Sequence, residues 1–191
     1  MSLTVKTEYW TYKPKLIPSY VFEPLLEIMK DYCNYIPGNE KRVSCVFIRS
    51  RSGTWSGYKN MTNYDWSDAP SILHEICKIV EDFTKESYDY ALVHIYPSGL
   101  SSIAPHFDAE ALGSSIASLS LGATRKFRFR KIGRTSGYDV QYFLNDGDLI
   151  VMHGPDKSTG RPSCQEVYQH SVPIEKKVKT PRINITFRQN Y

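Results

Sequence analysis

A chain of 191 residues with 41% hydrophobic and 23% charged residues carries enough apolar material for one sizeable core, which excludes a disordered chain. Its net charge of +4 permits a polyanionic partner without demanding one, and four scattered cysteines with no C-x-x-C pair argue against a disulfide framework. No apolar run reaches membrane-spanning length and "MSLTVKTEYW" lacks the apolar stretch of a secretion signal. The expectation is a soluble intracellular protein, nuclear or cytoplasmic, with reduced thiols and no membrane partner.

In chain order, "SYVFEPLLEIMKDYC" (19–33) spaces Val21, Leu25, Ile28 and Met29 along one helical face. "SDAPSILHEICKIVEDF" (67–83) predicts a second helix, with Ser67 or Asp68 as cap and Ile72, Ile76, Ile79 and Val80 as its stripe. His74 on that helix reads as a surface or packing residue. From residue 88 the texture changes to short β-type runs separated by turns: 90–96, 115–122, 126–132, 139–143, 148–152, 166–173 and 181–188. "NDGD" (145–148) is a turn of the Asp-Gly kind. Strands following helices at this spacing predict an α+β fold, mainly β: a jelly-roll double sheet with the N-terminal helices packed on one side.

"PHFDAE" (105–110) places His106 and Asp108 two positions apart, a spacing that sends both side chains to one side of an extended segment. Two histidines and one carboxylate on one face are a common way to hold Fe(II) while leaving positions open for cosubstrate and oxygen. Besides His74, the chain offers His94, His153 and His170, and His170 lies in a β-type run shortly before "PRINITFR". There Arg182, Asn184 and Arg188 share one strand face, while Ile183, Ile185 and Phe187 face the other way. Two arginines pointing into a barrel need anions, which a dicarboxylate would supply; surface acids are the plainer alternative.

His106-Phe107-Asp108, His170 and "PRINITFR" together resemble the HxD…H…RxNxxxR signature of AlkB-type Fe(II)/2-oxoglutarate dioxygenases. "SSIASLSLGATRKFRFR" and "KKVKTPRINITFR" are similar to the eukaryotic DNA-repair demethylase branch, and the likeness runs from about residue 41 to the C-terminus. The resemblance implies a double-stranded β-helix in one domain spanning 1–191. Residues 1–40 would be an N-terminal extension and helix, 41–88 a substrate-lid region and helix, and 89–191 the jelly-roll core. It implies His106, Asp108 and His170 as iron ligands, with Tyr96, Arg182, Asn184 and Arg188 on 2-oxoglutarate, and O2 as the oxidant. The family's usual Asn two residues before that Tyr is His94 here. An imidazole can also donate to a carboxylate; the other reading is a hydrogen-bonded strand residue beside the site.

The implied activity is oxidative demethylation of N-alkylated bases such as 1-methyladenine or 3-methylcytosine in DNA or RNA, releasing formaldehyde, succinate and CO2. The enzyme is expected to be a monomer acting on alkylated nucleic acid. Glu110 stands where the family has an acid that contacts the exocyclic amine of the base; a solvated loop acid is the alternative. In "RSRSGTWSGYKN" (49–60), Trp55 and Tyr58 among basic residues suit a lid that stacks on a flipped base, or else simply pack on the domain. Arg125 matches the family's GA-x-R and reads as a substrate contact or a support for the acids around iron. Arg128 and Arg130 form a basic strand face, either solvated or a phosphate track. Two further possibilities stay open: a dioxygenase of the same chemistry acting on a protein side chain or small molecule, and a non-catalytic nucleic-acid-binding module.

Overall fold

Strand alternation sorts the residues of this chain into a helix-covered apolar face and a polar inner face. The computed structural model describes residues 3–49 and 57–190. Its strands are β1 (Val5–Lys6), β2 (Trp10–Lys13), β3 (Val43–Ile48), β4 (Thr62–Asp65), β5 (Tyr90–Tyr96), β6 (Ile103–His106), β7 (Ile116–Gly122), β8 (Arg125–Lys131), β9 (Val140–Leu144), β10 (Asp148–Met152), β11 (Tyr168–Val172) and β12 (Arg182–Arg188). The helices are α1 (Phe22–Tyr32), α2 (Ser71–Thr84) and α3 (Cys164–Val167). Eight strands form one sheet in the order β1-β2-β10-β7-β12-β5-β3-β4, and the other four form a second in the order β6-β11-β8-β9. This is the expected jelly roll.

Register across the larger sheet shows how the two faces divide. Cys45, Val93, Ile185, Leu119 and Leu149 lie side by side across five strands. With Phe47, Ala91, Phe187 and Ala117 in the next such row, they meet Leu25, Leu26 and Met29 of α1 and Leu73, Ile76 and Val80 of α2 in one buried cluster. The intervening residues point the other way, toward the smaller sheet. Ser44, His94, Asn184, Ser120 and Asp148 make one row, and Tyr96, Arg182 and Gly122 another. Trp10, Ile116, Phe127, Phe129, Ile150 and Val172 fill the remainder of the space between the sheets, with Trp10 stacked on Phe129 at 4.1 Å.

Several boundaries differ from the sequence expectation for local reasons. Residues 19–21 form a 3-10 turn ahead of α1 rather than its first turn. Ser67 and Asp68 do not cap α2; they lie in a 3-10 turn, and the helix begins after Pro70. His74 bonds the Ala69 carbonyl and packs on Trp66, so it serves packing. The run 166–173 is split: a capping box between Ser163 and Glu166 nucleates α3, and strand pairing starts only at Tyr168. All four cysteines are buried and unbridged. Among the described residues, no helix is long and apolar enough to cross a membrane.

At Gly122 the backbone has φ +81°, and a Cβ would collide with the Phe22 ring of α1 and the Pro181 carbonyl. Gly133 has a similar φ of +88° with nothing near the added carbon. Gly122→Ala is therefore expected to destabilise by about 2–4 kcal/mol, strain plus overpacking. Gly133→Ala should cost only the strain, about 1 kcal/mol. Urea-denaturation midpoints of the two variants check the difference.

Candidate metal centre

The two candidate histidines are brought together by strand pairing. β6 and β11 run antiparallel with His106 directly opposite His170, and their rings lie 4.3 Å apart. Asp108 follows β6 by two residues in an extended conformation and turns its carboxylate between them. Its Oδ1 is 3.8 Å from His106 Nε2, and its Oδ2 is 3.6 Å from His170 Nε2. Ligand atoms of the three residues all fall within 4.8 Å of one another.

The donor set fits a divalent transition metal. Asp108 Oδ2 is buried with no hydrogen-bond partner, an atom whose desolvation calls for a cation. His106 Nδ1 lies 2.9 Å from the Ala104 carbonyl. A carbonyl only accepts, so Nδ1 carries the proton and Nε2 turns its lone pair to the site. Burial pushes the His170 imidazole down to about 4, Asp108 opposing, which leaves that ring neutral as a ligand must be. Burial alone would raise the Asp108 carboxyl, but Arg188 and the two imidazoles outweigh it and hold the group below its usual range. Gln165 of α3 accepts from the Asp108 backbone N–H at 3.0 Å and fixes the loop from behind.

Along the inner face of the larger sheet the cations are engaged unequally. Arg188 is 4% exposed; Nη2 bonds Asp108 Oδ1 at 2.9 Å and Nη1 bonds Glu110 Oε1 at 2.6 Å. Burial would lower its pKa, and the Asp108 charge reverses that to a net rise. Arg182 is 1% exposed, donates from Nη2 to Ser120 Oγ at 2.8 Å, and leaves Nε and Nη1 buried without partners. Burial draws this guanidinium down to about 10, with Tyr96 opposing and Arg125 reinforcing. His94 is bonded at Nδ1 to Ser44 Oγ, 2.6 Å away. Burial, with the charges of Arg42, Arg188 and Arg182 around it, keeps the His94 ring neutral. His94, Tyr96, His106, His170, Asn184 and Arg188 wall a narrow cavity of about 30 Å³. A roomier groove of about 970 Å³ runs past Lys6, Thr11 and His153 and touches none of the three candidate ligands.

The remaining sequence candidates separate. Glu110 does not continue the strand but lies in the 3-10 turn Ala109–Ala111. It still faces the site, accepting from Tyr58 Oη at 2.7 Å as well as from Arg188. Burial raises the Tyr58 phenol, so it is a donor at neutral pH. Trp55 lies outside the described residues. Arg49, at the start of the expected lid, is tied to Glu81 at 2.6 Å and stacked on Trp66. Asn184 spends its amide N–H groups on Ser118 Oγ and the Leu119 carbonyl. Arg125 is fully buried and bonds the carbonyls of Ser98, Ser101 and Pro173 together with Glu175, so its donors are committed within the chain. It braces strand ends, and a direct substrate contact by Arg125 does not fit that arrangement. Arg128 and Arg130 project outward from β8 and bond Gln141 and Gln169. Sequence reading missed Ser44 and Gln165, which only long-range register brings to the site.

Comparisons with known proteins agree with this geometry. A family model of the 2OG-Fe(II) oxygenase superfamily matches residues 33–188. The mouse DNA oxidative demethylase ALKBH2 is 35% identical over 127 residues, covering 62% of this chain and 50% of the relative. The mouse alpha-ketoglutarate-dependent dioxygenase alkB homolog 3 is 30% identical over 185 residues, covering 86% and 61%. The chain thus spans about half to three fifths of the length of these relatives. In fold it is similar to OsALKBH1, with a TM-score of 0.69 at 17% identity over 98% of this chain and 100% of that one. A viral collagen prolyl hydroxylase from Paramecium Bursaria Chlorella virus-1 follows at 0.59 and 14%, covering 95% of each. The paired histidines, the buried carboxylate and the matched span make this chain a member of the 2OG-Fe(II) oxygenase superfamily, of the AlkB type.

Proposed function

We propose that the chain is an Fe(II)- and 2-oxoglutarate-dependent oxidative demethylase of N-alkylated bases, of the 1-methyladenine and 3-methylcytosine type, in DNA or RNA. The observation that carries this reading is Glu110, a carboxylate two residues from the ligand Asp108 and held over the site by Arg188 and Tyr58. Such an acid accepts from an exocyclic amine and favours the cationic form of an N-methylated base. The two curated relatives above are named as a DNA oxidative demethylase and an alpha-ketoglutarate-dependent dioxygenase, which supports the same assignment.

In this reading His106, Asp108 and His170 hold the iron, and the unpaired donors of Arg182 face the dicarboxylate cosubstrate. Bound iron and 2-oxoglutarate supply O2-dependent oxidation of the methyl group, with succinate, CO2 and formaldehyde as products. The protein's part is to position the methylated base and to shield the site from water. Arg188 fixes the Asp108 carboxylate and Glu110 in one arrangement, so base recognition and metal ligation share a single guanidinium. A base within a duplex has to leave the stack to reach this site. Outward Arg128 and Arg130, which bond neutral glutamines rather than acids, leave positive charge available to a phosphate backbone.

With Fe(II), 2-oxoglutarate and oligonucleotides carrying 1-methyladenine, 3-methylcytosine or N6-methyladenine, formaldehyde and succinate are expected in equal amounts from at least one of the first two. Asp108→Ala should reduce both to background. Absence of turnover on every methylated oligonucleotide would remove the substrate assignment.

Glu110→Gln tests base recognition separately. Loss of one charge-assisted hydrogen bond corresponds to roughly 10- to 100-fold in kcat/KM for the methylated base. Succinate formed without nucleic acid should fall less than turnover of the methylated base, since Arg188 keeps its bond to Asp108. An equal fall in both rates would assign Glu110 to the metal site alone.

A further inference from the structure

Arg42, one residue before β3, belongs to none of the motifs. Register nonetheless carries it beside Tyr96, a wall residue of the narrow cavity. Val43 pairs with Ile95 and Ser44 with His94, so one step back along the same ladder brings Arg42 opposite Tyr96. Tyr96 is itself paired with Arg182 on its other side. Three guanidiniums therefore surround one phenol ring: Arg42 at 5.8 Å from its centroid, Arg125 at 5.8 Å and Arg182 at 5.0 Å.

The three differ in what neutralises them. Arg125 has Glu175 at 3.2 Å and three carbonyls. Arg182 has one serine hydroxyl. Arg42 is half-buried, its Nη1 is sealed from solvent without a partner, and no hydrogen bond or ion pair engages its side chain among the described residues. Arg42 Nη1, Arg182 Nε and Arg182 Nη1 are thus three buried donors beside one ring with nothing to bind. Desolvated cations so close together are costly unless an anion joins them. A planar carboxylate matches two guanidinium forks.

This cluster lies at the end of β12 opposite to Arg188, which contacts the candidate ligand Asp108. Building on the functional reading above, the reactive 2-oxo end of the cosubstrate belongs beside the metal ligands, and its other carboxylate points toward Tyr96. We propose that Arg42 and Arg182 together grip that remote carboxylate, which makes Arg42 a further anchoring residue that selects a dicarboxylic 2-oxo acid. A phosphate of the nucleic-acid strand is the other anion Arg42 could meet. The carboxylate is favoured because Nη1 is sealed beside Tyr96 rather than open to the surface.

The test measures binding without turnover. Oxygen-free protein loaded with Mn(II) is titrated calorimetrically with 2-oxoglutarate and with 2-oxovalerate, which has the same carbon chain but ends in a methyl group. Arg42→Gln should weaken 2-oxoglutarate roughly 10- to 100-fold, one charge-assisted contact, and leave 2-oxovalerate unchanged. Arg42→Lys, which keeps the charge but loses the fork, should recover part of the loss. An equal loss for both acids would make Arg42 structural and overturn the inference. So would unchanged 2-oxoglutarate affinity, including the case where only affinity for a methylated oligonucleotide falls. If the unaltered protein bound neither acid, the functional reading would fall and the anchoring role with it.

Discussion

A guanidinium buried to 4% exposure has to be neutralised where it lies, and the site is organised around that requirement at Arg188. Asp108 and Glu110 reach it from the segment after β6, at 2.9 and 2.6 Å, and Tyr58 joins at 3.1 Å from the segment before β4. One cation at the end of β12 thereby connects the larger sheet, the loop of the smaller sheet that bears the ligand, and the chain leading out of the expected lid. Removing the buried Asp108 from such a pair typically costs about 3–5 kcal/mol, because the guanidinium is left uncompensated, while the more exposed Glu110 adds a weaker, solvent-screened attraction. Glu110 keeps its place for this reason even though its backbone has left the strand and entered a 3-10 turn. Glu110 and Asp108 stand two residues apart and share a side because of the common guanidinium rather than strand alternation.

The two ends of β12 are electrostatically unlike. At Arg188 two carboxylates balance the guanidinium, while at Arg182 a neutral hydroxyl accepts one hydrogen bond and two donors stay unpaired. An anion entering the cleft gains more at the Arg182 end, where it replaces a missing partner, than at Arg188, where it competes with acids already in place. A molecule with two unlike anionic ends would therefore be held in one orientation along β12. The helix-covered face underneath gives this polarity its rigidity: Ile183, Ile185 and Phe187 alternate with the polar residues of β12 and are completely buried against α1 and α2. Close-packed neighbours on that side leave β12 little freedom to slide, and a slip of one residue would exchange the two faces.

Six strands were legible in the sequence because they alternate over five to seven residues or are apolar throughout. β5, β7, β8, β9, β10 and β12 all lie within a residue or so of where pattern alone puts them. Interior β2 and β3 of the larger sheet were not read, nor were three of the four sheet edges. β1 has two residues, β4 carries no apolar alternation in "TNYD", and β6 contains a proline, so neighbouring strands rather than local preference define them. The start of α3 had a readable signal in Ser163 and Glu166, obscured because the following residues look like strand. At the site, the His-x-Asp pair and the distant histidine could be read because few residue types ligate iron. Ser44, Gln165 and Arg42 could not, since each acts through a partner at least fifty residues away that only the fold brings near.

His94 shows how such a partner changes what a residue can do. A neutral imidazole has one donor and one acceptor, and the choice between them follows from whatever its first nitrogen meets. Ser44 stands directly opposite in the register, 2.6 Å from Nδ1. If the hydroxyl donates, Nδ1 is the acceptor and the proton resides on Nε2, the side that faces the cavity. The opposite tautomer would present a lone pair there. The charges of Arg42, Arg188 and Arg182 around the ring favour an anionic group beside His94, and an anion selects the tautomer that donates. Ser44 can accommodate that choice by rotating one hydroxyl. In that tautomer the pair would offer an N–H donor, as an asparagine amide would, and the neighbouring strand would compensate for the departure from the family's usual residue.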